Sequence, residues 1–322
     1  MFSRKIFLFI FGNLLATLLA AQPFRSGDQF IQNYYYLETG GGEQNWGILM
    51  DQRGVIYVAN NDNGILEFDG DSWRNIPVPD NLPVRSLVLG QDGFIYAGLD
   101  GEIGRLEPDR QGSLHYRSLM DSTQRNEYSG TDFWRSYSHD GNIYFCSMQA
   151  IMVYNIKSSE ISVIDAPENA FLTFLIDAHL YTSTSGMGLM KYVGDQFIPI
   201  PGGRLLSGKN ISGLLSLDEG RFLVSTFNQK LYLLDTISGS LDSTFMDPAL
   251  MDEISSAGMI YLQRQDKDFY LSTRQQGLYV LNERWEVTER VSEEEGLLSN
   301  FVPFFIFDTD SAGHTVLWMA MF

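Results

Sequence analysis

The sequence predicts an all-β fold, a β-propeller of seven blades with the last blade incomplete. Six times, at intervals of 38 to 48 residues, a short polar turn is followed at once by an aromatic or branched run. The turns begin at Asp51, Gly90, Ser138, Ile176, Leu217 and Gln265, and the runs they launch include Val55-Ile56-Tyr57-Val58-Ala59 and Phe94-Ile95-Tyr96-Ala97. A strand-rich repeat of about 40 to 50 residues is the mark of a propeller blade rather than a helical solenoid. A hydrophobic content of 44%, with 13% aromatic residues, supplies a packed core and excludes disorder for the bulk of the chain.

The first blade shows the four-strand pattern in full. Its strands are expected at Trp46 to Met50, Val55 to Ala59, Ile65 to Phe68 and Trp73 to Ile76, with Asp69-Gly70 as a hairpin turn before the fourth. The second blade reads as Val84 to Leu89, Phe94 to Gly98, Ile103 to Leu106 and His115 to Leu119. Further copies span Phe133 to Ile164, Phe171 to Ile200, Ile211 to Phe245 and Ala257 to Val291. A seventh begins at Leu297, runs through Phe304 to Asp308, turns near Ser311-Ala312-Gly313 and reaches Leu317 to Phe322. Two of its four strands are present, so the sequence reads as cut short, with Gln29 to Leu37 expected to return as a closing outer strand. An apolar edge at Val316 to Phe322 would be a site for pairing with another chain.

Met1 to Ala21 reads as a signal peptide, with Arg4 and Lys5 before the apolar run Ile6 to Leu19 and small residues Ala20 and Ala21 at its end. The propeller then occupies residues 22–322, and export makes a periplasmic location the expectation. The chain carries 22 Lys and Arg against 40 Asp and Glu, a net charge of −18. Phosphate binding needs a basic face, so nucleic acid is excluded as a partner. Cys146 is the single cysteine, which leaves no intramolecular disulfide, and its place within a strand suits a small buried hydrophobe better than a catalytic thiol.

The residues of the first two blades resemble a known family. Gln44-Asn45-Trp46-Gly47-Ile48, Arg53-Gly54-Val55-Ile56-Tyr57, Asn60 to Gly70 and Trp73 are similar to the first blade of the two-component regulator propeller family. Val84-Arg85-Ser86-Leu87, Gly93-Phe94-Ile95-Tyr96 and Gly101-Glu102-Ile103-Gly104 are similar to its second. The resemblance covers roughly residues 24 to 310. It implies a periplasmic sensor, followed in the family by a triple-tyrosine sandwich, a membrane helix and a kinase, helix-turn-helix or cyclase output. None of those downstream parts follows Phe322 in this sequence.

No catalytic set, cofactor site or metal site is expected. The Asp-x-x-Gly turns invite comparison with sialidase Asp-boxes, but the Asp drifts between blades, and a tight turn that uses Asp for backbone hydrogen bonds explains it. His115, His139, His179 and His314 show no ligand spacing. The alternative, a carbohydrate-active glycosidase or lyase, would need paired carboxylates converging on the axis.

Strand direction points elsewhere. In a four-stranded antiparallel blade, the turns after the second strand and the links between blades share one face. That face is expected to carry Asn61, Asp100, Gln149, Ser185, Asn228 and Arg274, with Trp46, Trp134 and Arg135 beginning inner strands beside it. These nine residues are the candidate ligand-binding set, suited to a polysaccharide-derived or other polar small ligand.

Overall fold

A computed structural model describes residues 30–218, 220–227, 230–309 and 315–322. The expected signal peptide, Gln29, Asn228, the turn at 311–313 and His314 lie outside the described residues. Residues 30–33 carry no helix or strand, and the propeller unit spans residues 34–322.

Six four-stranded antiparallel sheets follow one another along the chain, each in sequential strand order from axis to rim. The first comprises β1 (Asn45–Met50), β2 (Ile56–Asn60), β3 (Ile65–Phe68) and β4 (Trp73–Ile76). The second comprises β5 (Val84–Leu89), β6 (Ile95–Leu99), β7 (Ile103–Pro108) and β8 (Leu114–Ser118). Next come β9 (Arg135–His139), β10 (Asn142–Cys146), β11 (Ala150–Asn155) and β12 (Ile161–Asp165), then β13 (Ala170–Ile176), β14 (His179–Thr184), β15 (Gly188–Val193) and β16 (Gln196–Pro199). The fifth holds β17 (Ile211–Asp218), β18 (Arg221–Thr226), β19 (Leu231–Asp235) and β20 (Ser240–Asp242). The sixth holds β21 (Met259–Gln265), β22 (Asp268–Thr273), β23 (Leu278–Leu281) and β24 (Val287–Val291).

Among the described residues the blade count is therefore six, not the seven expected from the sequence. The last two strands, β25 (Phe304–Thr309) and β26 (Thr315–Ala320), pair with each other in a two-stranded sheet and, among the described residues, with no other strand. It sits between the sixth and first blades. Tyr261 of β21 stacks on Phe304 at 4.2 Å on one side, and β1 packs against both strands on the other. Among the described residues of the expected closing strand, Phe30 to Leu37, no strand forms. Tyr36–Thr39 form a single helical turn, α1, where Glu38 accepts from the Tyr35 N–H at 3.0 Å and Gly40, at φ 71°, ends it. Tyr34 fills the gap with its ring instead of its backbone, packing on Phe68 and Trp73 and stacking over Trp318.

Apolar faces of adjacent blades meet in successive clusters. Tyr57, Ile65, Ile76, Val84 and Leu99 join the first and second blades, and Tyr96, Phe133, Phe145 and Met152 the second and third. A large aromatic at such a position, fully shielded from water, costs about 3–5 kcal/mol to truncate. Among the described residues two α-helices interrupt the repeat, α2 (Ser122–Glu127) and α3 (Pro248–Ala257). Asp247 caps α3 by accepting from Ala249 and Leu250, Pro248 takes the first turn, and Met251, Ile254 and Ala257 are buried.

The polar turns are structural. Asp51 accepts the N–H groups of Arg53 and Val55 at 2.8 and 3.1 Å, and the Tyr57 hydroxyl donates to it at 3.4 Å. In the second blade the Tyr96 hydroxyl donates to Asp92 at 2.8 Å, although this Asp stands two places later in its turn. Four turns share one backbone pattern, those at Asp51, Gly90, Asp109 and Asn282. Their fourth residue lies in the left-handed region, which Gly54, Gly93 and Gly112 enter freely. In the sixth blade that residue is Trp285, at φ 64°. Its indole stacks on Phe269 and meets Phe245 edge-on, both at 4.7 Å, which offsets the backbone cost.

Candidate functional site

All inner strands run the same way, so their N-terminal ends meet at one mouth of the axial channel. In five of the blades this end carries a register shift, between Asn45 and Gly47, Val84 and Ser86, Ala170 and Thr173, Ile211 and Gly213, and Met259 and Tyr261. A bulge frees one residue from the ladder and re-aims its side chain. The residues freed in the first two blades are Trp46 and Arg85.

Arg85 organises the mouth. Its Nε donates to Asp132 Oδ1 at 2.6 Å and its Nη1 to Asn61 Oδ1 at 2.8 Å. Its guanidinium lies 4.7 Å from the Trp134 ring and 5.3 Å from that of Trp46. The two indoles meet edge-to-face at 5.0 Å, and Trp46 Nε1 donates to Asn61 at 3.4 Å. The Arg85 side chain is only 12% exposed, against 28% for Asp132. Both tryptophans keep part of their surface in water. From Trp46 an aromatic run continues through Phe322 at 4.6 Å to Phe301 at 4.3 Å, where the Arg274 guanidinium lies 5.8 Å away.

Of the residues expected from sequence, the structure thus gathers Trp46, Trp134 and Asn61 at one point and joins Arg274 to them through two rings. Asp100 forms an isolated bridge with Asp132, and its carboxyl is held above the usual carboxylate range by burial and by the Asp132 charge, against the pull of Arg85. Arg135 opens the third inner strand and points into the channel, over the rings of Tyr261 at 5.0 Å and Phe304 at 5.5 Å. Gln149 accepts from Thr131 at 2.7 Å, and the Ser185 carbonyl accepts from Ser207 at 2.8 Å, so each ties its turn to an interblade link, and neither lines the cavity.

Arg85, Asp132, Tyr261, Phe304 and Phe322 were missed. For Arg85 a signal existed, since Val84-Arg85-Ser86 aligned on Asn45-Trp46-Gly47 places it at the bulge of the second blade.

Below the mouth the axial cavity has a volume of about 210 Å³ and is lined by Ser86, Ser136, Tyr137, Ser212, Gln263 and Tyr261, among others. Ser86 bridges to Ser136 at 2.7 Å. Cys146 is buried and its thiol is pushed up by desolvation, with the Arg135 charge acting the other way. Among the described residues no group of three His, Cys, Asp or Glu side chains is placed to hold a metal ion. Among them, too, no helix is long and apolar enough to cross a membrane.

No family model matches the chain, and no curated protein matches it. Solved structures do. The extracellular domain of BT4673 of B. thetaiotaomicron, described both as a one-component and as a hybrid two-component system, superposes with a TM-score of 0.67 at 17% identity. The match covers 92% of this chain and 39% of that one, so the chain spans about two fifths of that domain's length. Virginiamycin B lyase from Staphylococcus aureus matches with a TM-score of 0.62 at 16% identity, over 87% of this chain and 92% of its own. The WD40 propeller domain of Doa1 reaches 0.64 at 12%, over 88% and 91%. At such identities the likeness is one of fold: the chain is an all-β propeller, similar in architecture to the extracellular domain of that bacterial one- or two-component system.

Proposed function

We propose that this chain is an exported, non-catalytic ligand-sensing propeller, the sensor part of a membrane-spanning signal-transduction regulator. It binds a polar, polysaccharide-derived small ligand at the axial mouth, on the periplasmic side. One observation carries this reading: two partly exposed indoles held around an arginine that is largely shielded from water and hydrogen-bonded to Asp132 and Asn61, at a mouth shaped by bulged strands. Flat aromatic surface beside fixed polar groups is what a saccharide ring requires. The fold likeness to the extracellular domain of a one- or two-component system supports the sensor role.

A second reading, a carbohydrate-active propeller enzyme, is favoured by the likeness in fold to a lyase and by the Asp100–Asp132 pair at the mouth. Asp132 is committed to Arg85, which suits a binding role better than proton transfer. Calorimetric titration of the whole chain with an oligosaccharide panel, paired with chromatography of the recovered ligand, separates the two. Binding that is lost in Trp46→Ala and Trp134→Ala, with the ligand recovered intact, is the expected result. Turnover abolished by Asp100→Asn or Asp132→Asn in a folded protein would establish the enzyme instead.

A further inference from the structure

The axial cavity has an unusual balance of charge. The whole chain carries 40 acidic against 22 basic side chains, yet the ionised groups in the cavity wall are two arginines, Arg85 and Arg135, and no carboxylate. Arg85 is neutralised by Asp132. Arg135 makes no ion pair and no side-chain hydrogen bond among the described residues; its contacts are the faces of Tyr261 and Phe304. A partly buried guanidinium with five N–H donors and no acceptor is costly in the free protein, and hydrogen bonds to charged groups are the strong ones. Its charge is felt locally, because it opposes the burial that pushes the Tyr137 and Tyr261 hydroxyls up. Hydroxyls of Ser86, Ser136 and Ser212 and the amide of Gln263 line the same space.

We propose that Arg135 is the anchor for an oxyanion, and that the ligand of this site is a small sugar acid whose carboxylate meets Arg135 while its ring lies against Trp46 and Trp134. The volume of about 210 Å³ is below the roughly 300–1,000 Å³ of pockets for drug-sized molecules, which fits one sugar unit in the cavity. This deepens the axial-site reading and rests on it.

The test is a set of titrations of the whole chain, followed by tryptophan fluorescence, with methyl glucuronide, methyl glucoside and acetate. The glucuronide is expected to bind about tenfold tighter or more than the glucoside, a difference of about 1.4 kcal/mol. Arg135→Gln should erase that difference and Arg135→Lys restore part of it, with thermal melts showing that both variants fold. Acetate, which lacks a ring, should bind more weakly than the glucuronide. Equal affinities for glucuronide and glucoside, a preference that survives in Arg135→Gln, or no binding of glucuronide at all would overturn the anion assignment. Acetate binding as well as the glucuronide would overturn the ring's part in it. Failure of the underlying axial-site reading looks different: Trp134→Ala would then leave the affinities for both sugars unchanged.

Discussion

Arg85→Ala should dismantle the axial mouth, and its cost can be worked from the contacts. The side chain loses a charged hydrogen bond to Asp132 at 2.6 Å and one to Asn61 at 2.8 Å, and hydrogen bonds to charged groups are worth about 1.5–3 kcal/mol. It also leaves two indole faces, at about 0.5–1 kcal/mol each. Breaking a fully buried ion pair costs about 3–5 kcal/mol, but Asp132 is 28% exposed and water can reach its carboxylate once the partner has gone. Taken separately these contacts come to about 4–8 kcal/mol, and rehydration of the exposed partners roughly halves that, so about 2–4 kcal/mol is expected, which for a chain of this size is a fall in Tm of about 4–8 °C. Thermal and urea unfolding of the parent, Arg85→Ala, Asp132→Asn and the double variant form a closed cycle. Coupling of about 1–2 kcal/mol between the two sites is the expected result. An Arg85→Ala protein that melts within about 1 °C of the parent, or additive single effects, would refute the view that this pair holds the mouth together.

Three further outcomes follow from the same structure. Burial raises the Asp51 carboxyl, but hydrogen bonds from the Arg53 side chain and from the Arg53 and Val55 N–H groups outweigh it, so its folded value lies below the ordinary one. Its contribution is present above the unfolded carboxylate value and is lost as pH falls through the folded one. Asp51→Asn should therefore lower Tm at pH 7 and flatten the acid limb of a Tm-against-pH curve, and a parallel shift at every pH would contradict this. Glu102 behaves in the opposite sense, because burial raises it despite Ser118, Arg125 and the Ile103 N–H. Glu102→Gln should melt no lower than the parent at pH 7 and lose any advantage as pH falls into the ordinary glutamate range; a variant that is most favoured in acid would contradict the sign. Trp285→Gly relieves about 1–2 kcal/mol of left-handed backbone cost but removes the stack on Phe269. A net loss of about 1–3 kcal/mol in urea unfolding is expected, since truncating a buried Trp costs about 3–5 kcal/mol and this ring is only partly buried; a stabilised variant would show that the packing is not what keeps Trp there.

Strand positions were legible because turn chemistry is local. Asp69-Gly70 and Gly93-Phe94 mark hairpins within a few residues, and the strands they bound fall within a residue or two of expectation. Helix α3 was hidden, since its buried Met251, Ile254 and Ala257 make too short an apolar stripe to stand out between blades, though Asp247-Pro248 is a start signal. The candidate site was half legible. Trp46 and Trp134 were placed by strand direction, but the partner that joins them, Arg85, is held by Asp132, 47 residues away, and such pairing leaves no local trace. Asp100 was assigned to the right face as a ligand contact, yet it bridges to Asp132 beside the mouth. The closing strand failed for a local reason: Glu38 reaches back to Tyr35, and the helical turn it caps takes the segment out of the sheet.

Hydrogen exchange of the whole chain, with and without an acidic oligosaccharide hydrolysate and with the ligand recovered and analysed, tests the central claim most directly. The account expects slowed exchange at the amides of Asn61, Arg85 and Trp134 to Ser136, no change at the opposite turns Asp51 to Gly54 and Gly90 to Gly93, and intact saccharide at the end. Protection confined to the turn face, or consumption of the saccharide, would contradict a non-catalytic sensor that binds at its axial mouth.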